Sequence, residues 1–135
     1  MQRALVTIAA CSLAIAGCGG SASSGKSDVA EAVSQFWTAF LNGDAATACG
    51  MLTPQLRARL DRGPDTCAEV VRVTPAVIEY QKRSELQRQF EEKNWVVTVE
   101  GPLALVSLPD KPGSVKLMKQ ADGRWLISQL DSLRP

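Results

Sequence analysis

The stretch Val115–Leu130, VKLMKQADGRWLISQL, decides the fold. In Val115–Gln120 apolar and polar residues alternate, the period that sends every second side chain to one face of a strand. Ala121-Asp122-Gly123 then separates it from Arg124–Leu130, and Asp-Gly between two such runs is a hairpin signal, because Gly adopts the positive φ that a tight turn needs. Upstream, Trp95–Glu100 (WVVTVE) is β-branched and aromatic, and the turn Gly101-Pro102 leads into Leu103–Leu108 (LALVSL). Four consecutive strands with short connections predict an antiparallel meander.

Before Asn94 the pattern is helical. From Asp28, residues Val29, Val33, Phe36, Trp37 and Phe40 fall at i, i+4, i+7, i+8 and i+11, one stripe at helical period. Asp28 with Glu31 resembles a capping box at the start, and Asn42-Gly43 supplies a left-handed stop. Asp44 suits the cap of a short helix over Ala45–Leu52. Thr53-Pro54 restarts the chain with Thr as cap and Pro at the first position, placing Leu52, Leu56 and Leu60 on a common face. Arg57, Arg59 and Arg62 point away from that face, as a solvated helix surface. After the break at Gly63-Pro64-Asp65, Cys67–Arg72 predicts another short helix, and Thr74-Pro75 to Lys93 a longer one. In the longer helix Glu79 and Arg83 pair at i, i+4, with Ile78, Leu86 and Phe90 as apolar contacts. Helices first and a meander after predict an α+β domain with the helices packed on one face of a four-stranded sheet.

The first residues read differently. Arg3 gives one positive charge, and Ala4–Gly17 is apolar or small apart from Thr7, Cys11 and Ser12, the n-region and h-region of an export signal. As a helix those residues would reach roughly 21 Å, against about 30 Å of bilayer hydrocarbon, so a permanent span is the weaker reading. Ile15-Ala16-Gly17-Cys18 resembles the lipobox of bacterial lipoproteins. That resemblance implies cleavage after Gly17 and a diacylglycerol thioether on Cys18, which would attach the exported chain to the membrane on its extracytoplasmic side. The alternative is an ordinary signal cleaved nearby, with Cys18 left free. Residues 1–17 are thus the expected signal, and residues 18–27 (Cys18 and a Gly/Ser-rich run) the expected flexible tether. A single domain is expected over residues 28–135.

With Cys11 removed and Cys18 lipidated, Cys49 and Cys67 remain as a lone pair in an exported protein, where disulfides persist. The chain has no His and no clustered Cys spacing, which leaves neither a metal site nor an imidazole-activated thiol to propose; no cofactor is expected. The net charge is +1 and the signs are scattered along the chain. Nucleic-acid binding needs a basic stripe to neutralise phosphates, and none is visible, so no nucleic-acid partner is expected.

Three segments carry a second resemblance. Phe36–Asp44 (FWTAFLNGD) ends a first helix in an NGD turn, Ala45–Leu52 precedes a Thr-Pro step, and Asp122–Ile127 (DGRWLI) has the form D-G-x-W-x-I. Together they look like nuclear transport factor 2-like domains. Cys49 and Cys67-Ala68-Glu69-Val70-Val71 are similar to positions in actinobacterial exported lipoproteins of that kind. The resemblance implies a cone, a curved sheet wrapped around helices, with a pocket at the wide end. Enzymes of that superfamily use Asp, His or Tyr in the pocket. Here Tyr80, with Glu79 or Asp131, is the one phenol–carboxylate pairing on offer, and no acidic residue interrupts the first helix's apolar stripe, so the chain reads as non-catalytic. Trp37, Trp95 and Trp125 fall within apolar patterns and read as core, and with Tyr80 they are the candidate pocket lining. Two functions remain: an envelope interaction module docking to another protein, or a carrier of a small hydrophobic ligand or lipid.

Overall fold

The computed structural model describes residues 22–78, 80–91, 95–107 and 113–131. The expected signal, Gly17 and Cys18 lie outside them. The first helix, α1 (Ala22–Leu41), buries Val29, Val33, Phe36, Trp37 and Phe40, the stripe read from the sequence. Its start corrects the expectation. The helix begins six residues before Asp28, so residues 22–27 of the expected tether are helical, and Asp28 and Glu31 lie inside the helix instead of capping it. Glu31 accepts a hydrogen bond from Gln35 Nε2 one turn on, at 3.0 Å. Nucleation is the costly step of helix formation, so a helix fixed by a buried stripe extends backward at little further cost. Gly25 in that extension lies close to the sheet: a Cβ there would be 3.9 Å from Val99 Cγ1.

The end of α1 is as expected. Gly43 has φ 72°, the Asp44 N–H reaches back to Ala39 O at 2.9 Å, and the Gly43 N–H to Phe40 O at 3.1 Å, a Schellman stop. Asp44 caps α2 (Ala45–Gly50) by accepting from the Thr47 N–H at 3.1 Å. Thr53 caps α3 (Pro54–Leu60) by accepting from the Leu56 N–H at 3.3 Å. Leu52 and Leu56 are buried, whereas Leu60 is exposed.

At α4 (Cys67–Val77) a reciprocal capping box sets the start, with Thr66 Oγ1 accepting from the Glu69 N–H and Glu69 Oε2 from the Thr66 N–H at 2.7 Å. Because that nucleus lies well upstream, the helix runs through Thr74-Pro75 instead of restarting there. Pro75 lacks the N–H that would complete one rung, and the Thr74 hydroxyl donates to Val70 O at 2.7 Å in the same turn. The chain turns extended at Ile78 (ψ 119°), and α5 (Tyr80–Glu91) follows. The expected single helix from Thr74 to Lys93 is therefore split between two. Ile78 and Leu86 are half-buried; Glu79, Lys93 and the Phe90 side chain lie outside the described residues.

The meander is present. Strands β1 (Val96–Glu100), β2 (Leu103–Ser107), β3 (Ser114–Lys119) and β4 (Trp125–Leu130) form one sheet in the order β1-β2-β3-β4, each pair antiparallel. Gly123, at φ 86°, makes the turn between β3 and β4. The architecture is α+β, and α1 contacts both β1 and β4. The inner face, with Ala104, Val106, Val115, Leu117 and Ile127, joins the α1 stripe in one core.

Two links tie the helical layer together and to the sheet. Cys49 in α2 and Cys67 in α4 form a disulfide with Cα atoms 6.1 Å apart, both residues buried. The segment Met51–Thr53 lies along the outer edge of β4: Ile127 donates to Met51 O at 2.9 Å, and Thr53 donates to Ile127 O at 2.8 Å.

Candidate functional site

Strand alternation sorts the sheet residues onto two faces. Register places Thr98 opposite Leu105 and Leu105 opposite Lys116, and likewise Glu100 opposite Leu103 and Leu103 opposite Met118. These six side chains share the outer face, away from the helices. Leu103 is 53% exposed, Leu105 40% and Met118 42%. They line an open depression of about 290 Å³, completed by Ser128 on β4.

A bulge shapes it. Lys116 pairs with Gln129 and Leu117 with Ile127, which leaves Ser128 as an extra residue on β4. An inserted residue bends its strand and raises the local twist, so the face curves at this point. The Ser128 hydroxyl, otherwise unpaired at the bulge, donates to Lys116 O at 3.2 Å, and Lys116 Nζ donates to Gln129 Oε1 at 3.2 Å. The result is an apolar centre of Leu and Met with a carboxylate on one side, an ammonium on the other, and hydroxyls at the margin. Such a surface supports contact by shape and burial.

Of the four candidate pocket residues, Trp37, Trp95 and Trp125 do not line this depression. Trp37 is buried in α1 within an aromatic cluster, its ring centroid 5.3 Å from that of Phe36 and 5.6 Å from that of Phe40, both near edge-to-face. Trp125 is buried on β4 with Lys119 Nζ 5.8 Å from its ring centre, and its Nε1 has no hydrogen-bond partner among the described residues. Trp95 is half-buried against the core. Tyr80 opens α5, and its side chain lies outside the described residues. Asp131 is exposed at the end of β4, accepting from Gln129 Nε2 at 2.6 Å and from the Ser114 hydroxyl at 3.3 Å. Glu79 is outside the described residues, so Asp131 is the only member of the proposed Tyr–carboxylate pairing whose side chain can be placed.

Three carboxylates are held below their ordinary range, all by local hydrogen bonds at turns and caps. Asp44 is lowered by the Thr47 hydroxyl and N–H, Glu69 by the Thr66 N–H and hydroxyl, and Asp122 by the Arg124 N–H and side chain. All three serve the fold and stand apart from the sheet face. Among the described residues no group of three or more His, Cys, Asp or Glu could hold a metal ion, and no helix is long and apolar enough to cross a membrane.

The outer-face site was not singled out in the sequence because the face is inverted in size. In Leu103–Ser107 the small Ala104 points inward, while Leu103 and Leu105 point outward. The signal available was the odd phase of LALVS, where a strand read by bulk alone would bury its leucines. No protein-family model, curated protein or solved structure matches the chain.

Proposed function

We propose that this chain is a membrane-anchored envelope lipoprotein whose domain, a cone of the nuclear transport factor 2-like kind, acts as a non-catalytic interaction module through the outer face of its sheet. The observation that carries the docking role is the exposed Leu103–Leu105–Met118 surface on the side of the sheet opposite the helices. Leaving three large apolar side chains in water gains nothing for the fold, and burying each against a partner would contribute roughly 1–2 kcal/mol. The aromatic cluster of Phe36, Trp37 and Phe40 is buried in one core with the inner face of the sheet, which favours docking on the surface over carriage of a ligand inside.

The anchor follows from the lipobox-like Ile15-Ala16-Gly17-Cys18. Two or more acyl chains hold a protein stably at a bilayer, at about 0.8 kcal/mol for each buried methylene. Expressed in a lipoprotein-processing host, the full chain takes up labelled fatty acid and sediments with membranes. Cys18→Ser removes the label and releases the protein. A Cys18→Ser protein that remains in the membrane fraction overturns the anchor.

A further inference from the structure

Resting on the docking reading above, the geometry points to a second copy of this chain as the occupant of the outer sheet face, in a two-fold pair that sets Glu100 of each copy against Lys116 of the other. Glu100 and Lys116 are the charged side chains lining the depression, and among the described residues neither makes an ion pair within its own chain; Lys116 bonds only the neutral amide of Gln129. Each charge is left available to an opposite one from outside.

Their placement suits a two-fold axis. Glu100 lies on β1 and Lys116 on β3, two strands over and two residues along, with Leu103 and Leu105 of β2 between them. With strands about 4.8 Å apart and a rise of about 3.4 Å per residue, the axis that exchanges the two charges passes midway between Leu103 and Leu105, roughly 35° from the strand direction. Strands of the two copies then cross at roughly 70°, near the orthogonal class of sheet packing. A two-fold interface must be complementary to itself. An apolar centre on the axis, with one charge of each sign exchanged by it, meets that condition. A carboxylate at the margin also counts against an anionic lipid surface as the occupant.

The area sets the strength. Four strands by five residues make a footprint of roughly 19 by 17 Å, well short of the about 800 Å² per partner of a standard stable complex. The pair is therefore transient in dilute solution. Holding both copies at one membrane raises their effective concentration and drives it.

The test uses two differently tagged full-length chains co-expressed in a lipoprotein-processing host, each with a photoreactive amino acid replacing Leu105. Irradiation is expected to give an adduct carrying both tags. Glu100→Lys in both copies sets like charges together at two places, and the adduct falls roughly tenfold. Glu100→Lys in one copy with Lys116→Glu in the other restores opposite charges at both places and recovers the adduct, which a folding defect would not do. An adduct indifferent to these reversals overturns the two-fold pair. Capture of a different polypeptide alone also overturns it but leaves the docking reading standing, whereas crosslinks to lipid alone, or none to any macromolecule, remove both.

Discussion

Removing the Cys49–Cys67 bridge should lower the melting temperature by about 13 °C. The bridge joins residues separated by 18 in sequence, and a closed loop of that size restricts the unfolded chain by about 3 kcal/mol. The described residues span roughly 110 positions, for which the unfolding entropy is about 0.23 kcal/mol/K, and the quotient of the two gives the shift. Both cysteines are buried, at 3% and 4% exposure, so Cys49→Ala with Cys67→Ala is the cleaner perturbation, because a reductant reaches the sulfurs poorly in the folded state. The missing sulfurs add a small cavity term, which makes 13 °C a lower figure. Thermal unfolding followed by far-ultraviolet circular dichroism measures the shift. A drop under about 3 °C, or two thiols freely alkylated in the native protein, would refute the reasoning.

Two other outcomes follow from the packing and the caps. Leu117→Ala, at a fully buried inner-face position, should cost about 2–5 kcal/mol in urea unfolding, whereas Leu105→Ala on the exposed outer face should cost under about 1 kcal/mol; equal losses would contradict the assignment of faces. Asp44, Glu69 and Asp122 have folded-state pKa values below their ordinary 3.8, 4.5 and 3.8, so their contribution is complete above those values and is lost as pH falls through the lower, folded ones. Melting temperature should therefore decline below about pH 4.5, and the triple variant Asp44→Asn, Glu69→Gln, Asp122→Asn should show a shallower decline. An unchanged acid limb in that variant would remove these carboxylates from the account.

The sheet was legible in the sequence because its signals are local. Asp122-Gly123 and Gly101-Pro102 mark turns by their own chemistry, and β-branched runs fill the strands between them. Asn42-Gly43-Asp44 was legible for the same reason, as a stop and a cap in adjacent residues. What misled were local signals overridden by structure already in place. Ser23, Ser24 and Gly25 have the composition of a tether, yet they continue a helix fixed further along. Thr74-Pro75 has the form of a helix start, but it falls inside a helix that Thr66 and Glu69 had already nucleated. The candidate site was hidden more deeply. Alternation gives a strand two faces without saying which is inside, and in β2 packing against the helical layer selected the face carrying Ala104 over the one carrying two leucines.

The backbone bonds from Met51 and Thr53 to Ile127 have a consequence for how copies of this molecule can accumulate. Growth of a fibre by strand addition requires two open sides, one to receive a neighbour and one to offer to the next. Here the backbone groups of Ile127 on one edge of the sheet are taken by the chain's own Met51 and Thr53, and among the described residues β1 stands at the other edge. Strand addition at the β4 edge is therefore blocked at Ile127. Copies that pair through the β1 edge meet this block before a ribbon can extend.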